Sequence, residues 1–304
     1  DVERSRGLGD VYKRQLFNLA LRTAYAYNSD GYGRGSGWRI VLAPVVGIFD
    51  ALLFRKVRQA FGGHLEFFVG GGALLDAELQ RFFYAIGIPM FQGYGLSEAT
   101  PVISTNSPKH HWHRFGSSGK ILIPLDLKIL DEEGREVPRG QKGEIVVRGE
   151  NVMAGYWKNP GATAETVRDG WLHTGDMGTM DPDGTLYIRG RSKTMILSGS
   201  GQNIYPEEIE DKLNNMYLVL ESLVLDAGNG KIKALVVPDY EQAEAEGVDK
   251  ADLPQIMQNN LQELNAQLAA YERISGIALY PNEFEKTPKR SIKRYLYEPS
   301  LLNK

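Results

Sequence analysis

The order of apolar and polar positions divides the chain into stretches of different period. Leu16, Leu19, Ala20, Thr23 and Tyr27 recur at helical spacing and predict a short helix, whereas residues 1–15 mix charges and glycines with no period. That leader is expected to be disordered or foreign to the fold. A glycine-rich break spans 31–37. Residues 65–69, Leu-Glu-Phe-Phe-Val, predict a buried strand, followed by a turn at Gly70-Gly71-Gly72. Asp76 is placed to cap a helix whose apolar face is Leu79, Phe82, Phe83 and Ile86, and Gly87 closes it. A second strand starts at 88–91, so strand, helix and strand form a parallel βαβ unit. Its glycine turn lies at the carboxyl end of the first strand, where open α/β sheets take ligands.

Residues 101–190 change to short strands, at 125–130, 144–148 and 185–189, separated by Asp-Glu-Glu-Gly and Asp-Pro-Asp-Gly turns. Residues 191–304 change again. Pro206-Glu207-Glu208 is a helix start, with Ile209, Leu213, Met216 and Leu220 as its buried stripe. Strands at 222–226 and 231–237 flank Gly228-Asn229-Gly230, a hairpin signal. A second amphipathic helix carries Leu261, Leu264, Leu268 and Tyr271, and 275–280 is a last strand. The expected organisation is a leader over 1–15, one domain over 16–190 with a β-rich part near 101–190, and a small α/β domain over 191–304. The fold class is α/β, of mixed α+β character.

Composition narrows the chemistry. The 304 residues include no cysteine, which excludes disulfides, thiolate metal sites and a cysteine nucleophile and fits a reducing, cytoplasmic setting. A net charge of -3 argues against a nucleic-acid partner. The apolar run 40–54 is short and interrupted by Pro44 and Asp50, so no transmembrane segment is expected; peripheral membrane contact stays open. Thirty-four glycines exceed the usual share, and many fall in the loops considered next.

Three motifs carry candidate chemistry. Gln92-Gly93-Tyr94-Gly95-Leu96-Ser97-Glu98 follows the second strand. Its glycines allow close approach of a ligand, Tyr94 offers a stacking face, Ser97 a hydroxyl for phosphate, and Glu98 a hard oxygen for magnesium. His173-Thr174-Gly175-Asp176 holds a carboxylate in a tight loop, able to accept two hydrogen bonds from a ribose diol. Gly190-Arg191-Ser192-Lys193 leads into a glycine-rich loop and the Pro206 helix at a change of composition, the setting of a hinge. Each alone has a plainer reading, as a structural strand end, a turn aspartate or a solvated linker.

Together, and with Phe68-Val69-Gly70-Gly71-Gly72-Ala73, Gly143-Glu144-Ile145 and Gly155-Tyr156-Trp157 in order, these motifs resemble the adenylate-forming superfamily, specifically its AMP-forming long-chain fatty-acid–CoA ligases. The resemblance runs over roughly 38–298. It implies the remnant of a large N-terminal adenylation domain followed by a small C-terminal lid. It implies ATP, Mg2+ and coenzyme A, with a fatty acid as substrate. By position, Gly71, Gly72 and Ala73 with Gln92, Gly93, Tyr94 and Gly95 would hold adenine, and Ser97 would touch the α-phosphate. Glu98 would bind magnesium as a catalytic metal ligand, Asp176 would hold the ribose with help from Arg191, and Lys193 would be the hinge.

Two departures stand against the pattern. The Ser/Thr/Gly-rich phosphate loop that family members carry upstream is not found. Gly116-Ser117-Ser118-Gly119-Lys120 is not a substitute, because Ile121 stands where a Walker loop needs Ser or Thr. The chain is therefore expected to be an N-terminally truncated fragment without ligase activity of its own. The family's C-terminal catalytic lysine also falls out of register. Alignment on Thr287-Pro288 puts Ser291 at its position, leaving Lys293 or Lys289 as candidates, with Lys293 preferred. A non-catalytic AMP-binding module and a carrier-dependent adenylation domain are the alternative functions. His110-His111-Trp112-His113 reads as a polar loop rather than a metal site.

Overall fold

The computed structural model describes residues 2–29, 31, 39–72, 75–108, 113–228, 230–287 and 291–303, with the side chains of 2–11, 14 and 302–303 left aside. Ala73, Lys289 and the first three residues of the 110–113 tract thus lie outside the described residues, as does most of the 31–37 break.

The chain opens with helix α1 (Val2–Asn28). Residues 2–15, expected to be disordered or foreign to the fold, are helical, and the period visible from Leu16 belongs to the second half of α1. The apolar run becomes helix α2 (Arg39–Phe49), a π-helical turn at Asp50–Phe54 and helix α3 (Arg55–Ala60). Arg58 ties this corner together, donating to both oxygens of Asp50 and to the carbonyl of Ile86 at 2.6–2.8 Å. Among the described residues no helix is long and apolar enough to cross a membrane.

The βαβ unit follows as β1 (Phe68–Gly70), α4 (Ala77–Ala85) and β2 (Met90–Gly95), with β1 and β2 parallel. Asp76 caps α4 as its position predicts, accepting from the amides of Glu78 and Leu79 at 2.6 and 3.1 Å. From β2 the sheet turns antiparallel through β3 (Val102–Thr105), β4 (Gly119–Ile121), β5 (Asp126–Leu130) and β6 (Gly143–Arg148). After α5 (Pro160–Thr166) come β7 (Val167–Arg168), β8 (Trp171–Met180) and β9 (Thr185–Arg191). The strand order is β1-β2-β3-β4-β9-β8-β6-β5, with β7 on β8. A core of Ile103, Ile129, Ile145, Val147, Leu172 and Leu186 lies on this sheet. Gly119 explains why the Walker-like stretch is structural. Its φ is +76°, and a Cβ there would lie 2.0 Å from the carbonyl oxygen of Thr105, so the close β3–β4 approach admits glycine alone. Lys120 pairs with Asp183 at 3.5 Å.

A short ribbon, β10 (Ile196–Leu197) with β11 (Asn203–Ile204), leads to the C-terminal unit. That unit comprises α6 (Pro206–Asn214), β12 (Val219–Gly228), β13 (Lys231–Pro238), α7 (Tyr240–Glu246), α8 (Leu253–Gln267) and β14 (Ile274–Leu279). Successive residues of the three-stranded sheet feed two cores. Val224, Ala234 and Val236 face α6 and α8, while Leu223, Leu235 and Val237 face Phe284 and Tyr297. Burial on both faces accounts for the unbroken apolar run at 234–237. Ile209 and Leu213 are buried as expected. Leu220 belongs instead to β12 and is exposed, because the helix stops at Asn214.

The first turn of α6 meets the large sheet. Glu208 pairs with Lys142 at 2.8 Å and with Arg189 at 3.3 Å, and Thr194 donates to Glu207 at 2.6 Å. Further along α6, burial and the nearby Asp76 carboxylate push Asp211 up to about 6. Asp76 therefore has two opposed effects. Asp76→Ala loses the cap and should cost about 1 kcal/mol. Asp76→Asn keeps a capping oxygen, removes the charge facing Asp211, and should be neutral or stabilising at pH 8; paired urea melts read the difference.

Candidate functional site

The three motifs meet at one end of the large sheet. β2 delivers Tyr94, and the paired strands β8 and β9 deliver Asp176 and Arg191, which stand opposite each other in register. The Tyr94 hydroxyl donates to Asp176 Oδ2 at 2.7 Å, and Arg191 Nε donates to Asp176 Oδ1 at 3.0 Å. A stretch of 82 residues separates Tyr94 from Asp176 along the chain; only the fold brings them together.

The electrostatics of this trio are uneven. The Asp176 side chain is 8% exposed, whereas that of Arg191 is 68% exposed. Burial pushes the Asp176 carboxyl above its ordinary value, and the hydrogen bond from Tyr94 and the charge of Arg191 offset this only in part. Solvent around Arg191 screens its charge, so desolvation prevails despite the ion pair. Burial, with Asp176 beside it, raises Tyr94 as well. Tyr94 is thus a phenol and a donor at neutral pH. Asp176 is a buried acceptor that takes one donor on each oxygen, Tyr94 on one and Arg191 on the other; a carboxylate oxygen has capacity for a second, which suits a pair of hydroxyls.

The remaining motif residues fall around it. Gly71 lies against β2, a Cβ there being 3.4 Å from the carbonyl oxygen of Gly93. Gln92 is buried, its side chain accepting from Gln80 at 3.3 Å and its carbonyl from Asn106, which makes it part of the scaffold. Gly95 has no room for a side chain against Pro101. Ser97 and Glu98 form a 3-10 turn at Ser97–Ala99, with Ser97 exposed. Glu98 Oε1 accepts from the Tyr156 hydroxyl at 2.8 Å, and its carbonyl accepts from the Met153 amide. One oriented carboxylate at a turn fits magnesium, which is commonly held by one or two carboxylates plus substrate phosphates. Among the described residues no group of three or more His, Asp or Glu side chains could hold a metal on its own.

Lys193 sits exposed in the 3-10 turn Ser192–Thr194, between β9 and β10. Lys293 is not brought to Asp176; its ammonium pairs with Glu285 at 3.2 Å. Its neighbour Arg294 reaches α6, pairing with Glu210. His113 is buried among the rings of Tyr84, Phe91 and Phe115, and burial pushes it down to about 4, so it is a neutral core histidine.

Two contacts have no sequence signal. Tyr156 belongs to the Gly-Tyr-Trp block, but nothing in its spacing places it on Glu98. Glu144 accepts from Gly175 at 3.1 Å and meets His173 at 2.8 Å, a contact set by how β6 and β8 pair.

Comparison with known proteins identifies the family. The family description "AMP-binding enzyme" matches residues 37–157, and "AMP-binding enzyme C-terminal domain" matches 193–300. The chain belongs to the adenylate-forming, AMP-binding enzymes. It is 36% identical over 232 residues to the long-chain-fatty-acid–CoA ligase FadD15 of Mycobacterium bovis, covering 76% of this chain and 36% of that protein. It is 42% identical over 185 residues to a feruloyl-CoA synthase from Amycolatopsis sp, covering 60% and 38%. The anthranilate CoA ligase AuaEII, solved with anthranoyl-AMP, superposes with a TM-score of 0.65 at 30% identity, over 76% of this chain and 43% of that one. The chain thus spans well under half the length of these adenylate-forming relatives. Their names give different carboxylic acids, so the family is fixed and the acid is not.

Proposed function

We propose that this chain is the nucleotide-holding and lid portion of an ATP-dependent, AMP-forming fatty-acid–CoA ligase. The observation that carries the reading is the Tyr94–Asp176–Arg191 trio, a buried carboxylate oriented by two donors where three family motifs converge. In the proposed reaction a carboxylate oxygen attacks the α-phosphorus of ATP and pyrophosphate leaves. The coenzyme A thiol, once deprotonated, attacks the acyl carbonyl carbon, and AMP leaves with the bonding pair. Asp176 holds the ribose hydroxyls, and Ser97 stands at the phosphate. Glu98, held by Tyr156, would carry the magnesium ion, which when bound offsets charge on the phosphate oxygens. Lys293 lies on the C-terminal unit and would need rotation about Lys193 to reach the phosphate. A fatty acid is favoured because FadD15 is named for one.

The test is calorimetry of AMP with the folded chain, which needs no acyl pocket. Saturable binding that weakens with 2′,3′-dideoxy-AMP is expected. A folded chain that gives no heat with AMP overturns the reading.

A further inference from the structure

The pairing of β6 with β8 breaks at one place. Glu144 stands opposite Met177 and Val146 opposite His173, so Ile145 alone faces Thr174, Gly175 and Asp176. The extra residues lose their β6 partners while Asp176 stays paired with Arg191 of β9, and Gly175 takes a φ of +68°. Such a bulge re-aims a side chain but leaves backbone groups without ladder partners. Two side chains take up that deficit. Thr174 Oγ1 donates to the carbonyl of Ile145 at 2.7 Å and accepts from the Asp176 amide at 3.1 Å. Glu144 accepts from the Gly175 amide through Oε1 and meets His173 Nδ1 through Oε2.

We infer that Glu144 is a positioning residue, which clamps the His173–Gly175 bulge and thereby fixes Asp176 for a ribose diol. The inference rests on the AMP-binding reading above and goes beyond it. Glu144 touches neither Tyr94 nor Arg191, so it acts through the backbone. Its charge works against the site, since a second carboxylate nearby disfavours ionisation of Asp176. What Glu144 supplies is therefore geometry: one acceptor to the bulged amide and one anchor on the imidazole.

The conservative variant separates geometry from charge. Glu144→Gln keeps an oxygen for Gly175 and turns an amide donor toward His173, whereas Glu144→Ala removes both contacts. Each variant and the unmodified chain are titrated with AMP and with 2′,3′-dideoxy-AMP. For Glu144→Ala, AMP should weaken about tenfold, the size of one charge-assisted hydrogen bond, with dideoxy-AMP unchanged and Glu144→Gln close to the unmodified chain. Equal weakening of both ligands, or no change for AMP, overturns the inference. If the unmodified chain binds neither nucleotide, the AMP reading fails and the clamp is judged separately by amide hydrogen exchange. Gly175 should then be protected in the unmodified chain and in Glu144→Gln, and unprotected in Glu144→Ala, while the amides of Leu223 and Leu235 stay protected. An unprotected Gly175 in the unmodified chain sinks the clamp itself.

Discussion

Asp176→Asn is expected to weaken AMP binding about a hundredfold while raising the thermal stability of the unliganded chain. Two opposite effects come from one buried carboxylate. A carboxylate offers acceptors on both oxygens to a vicinal diol, and an amide offers one; the lost charge-assisted bonding is worth about 3 kcal/mol. The fold gains because burial holds the Asp176 carboxyl above its ordinary value, so its ionised form at neutral pH opposes folding. The native state binds the proton more tightly than the unfolded chain. Stability of the parent therefore falls as pH rises from the ordinary aspartate range through the raised value. Asparagine is free of that loss, and its oxygen can accept from Arg191 while its amide donates to the Tyr94 hydroxyl. Melting curves at pH 7.5 should favour the variant, and the advantage should vanish below the ordinary aspartate range, where the parent is protonated in both states. Unchanged AMP affinity would remove Asp176 from the ribose site. A less stable variant at pH 7.5 would show that the Arg191 pair outweighs desolvation.

This balance explains what was legible in the chain and what was not. The βαβ unit was readable because each local signal agreed: Asp76 as cap, Phe82 and Phe83 on one face, glycine turns at each end. The β12–β13 hairpin was readable for the same reason. Leu220 was misplaced because an apolar stripe at helical spacing does not mark where a helix gives way to a strand. The helical reach of α1 over 2–15 was hidden by glycines and charges that interrupt its period. At the site, Tyr94, Asp176 and Arg191 could each be picked out from motifs, but not the use of the Tyr94 hydroxyl. Its ring suggested stacking, and the fold gives its oxygen a separate use on Asp176. Glu144 could not be assigned at all, because its partner His173 lies 29 residues away along the chain, across a register break between two strands. Side chains whose partners are set by strand pairing leave no pattern in their own neighbourhood.

Arg294→Met should destabilise the C-terminal unit strongly at alkaline pH and weakly at acid pH. Glu210 lies on the inner face of α6, accepts from the Val224 amide at 2.6 Å, and is paired by Arg294, which also donates to the Val224 carbonyl. Burial pushes Glu210 up to about 7, against an ordinary value of 4.5, even with the Arg294 charge lowering it. The native state therefore takes up the proton more readily than the unfolded chain, and stability of the parent declines as pH rises from about 4.5 to about 7. Methionine keeps the aliphatic bulk of arginine and removes its charge. The Glu210 carboxyl then rises further and the decline extends to higher pH. Well above pH 7 the variant must either bury an unpaired carboxylate or bind a proton against the gradient, at a cost of about 3–5 kcal/mol. Near pH 5 Glu210 is protonated with or without Arg294. What is lost there is a hydrogen bond from the charged guanidinium to a neutral carboxyl, worth about 1.5 kcal/mol. Urea midpoints at pH 5 and pH 8.5 should therefore diverge between parent and variant. The double variant Glu210→Gln with Arg294→Met should recover most of the alkaline loss, because the buried carboxylate is gone and what stays broken is the longer, partly exposed pair of Arg294 with Glu207 at 3.7 Å. A loss equal at both pH values would show that Arg294 contributes by packing alone. The anchor also bears on function: Arg294 adjoins Lys293, and fixing it to α6 fixes the lysine to the helix whose Glu208 meets Lys142 and Arg189. A chain with this anchor cut should carry Lys293 on a loosened segment while Tyr94, Asp176 and Arg191 stay in place, so AMP affinity should survive the substitution that unsettles the lid.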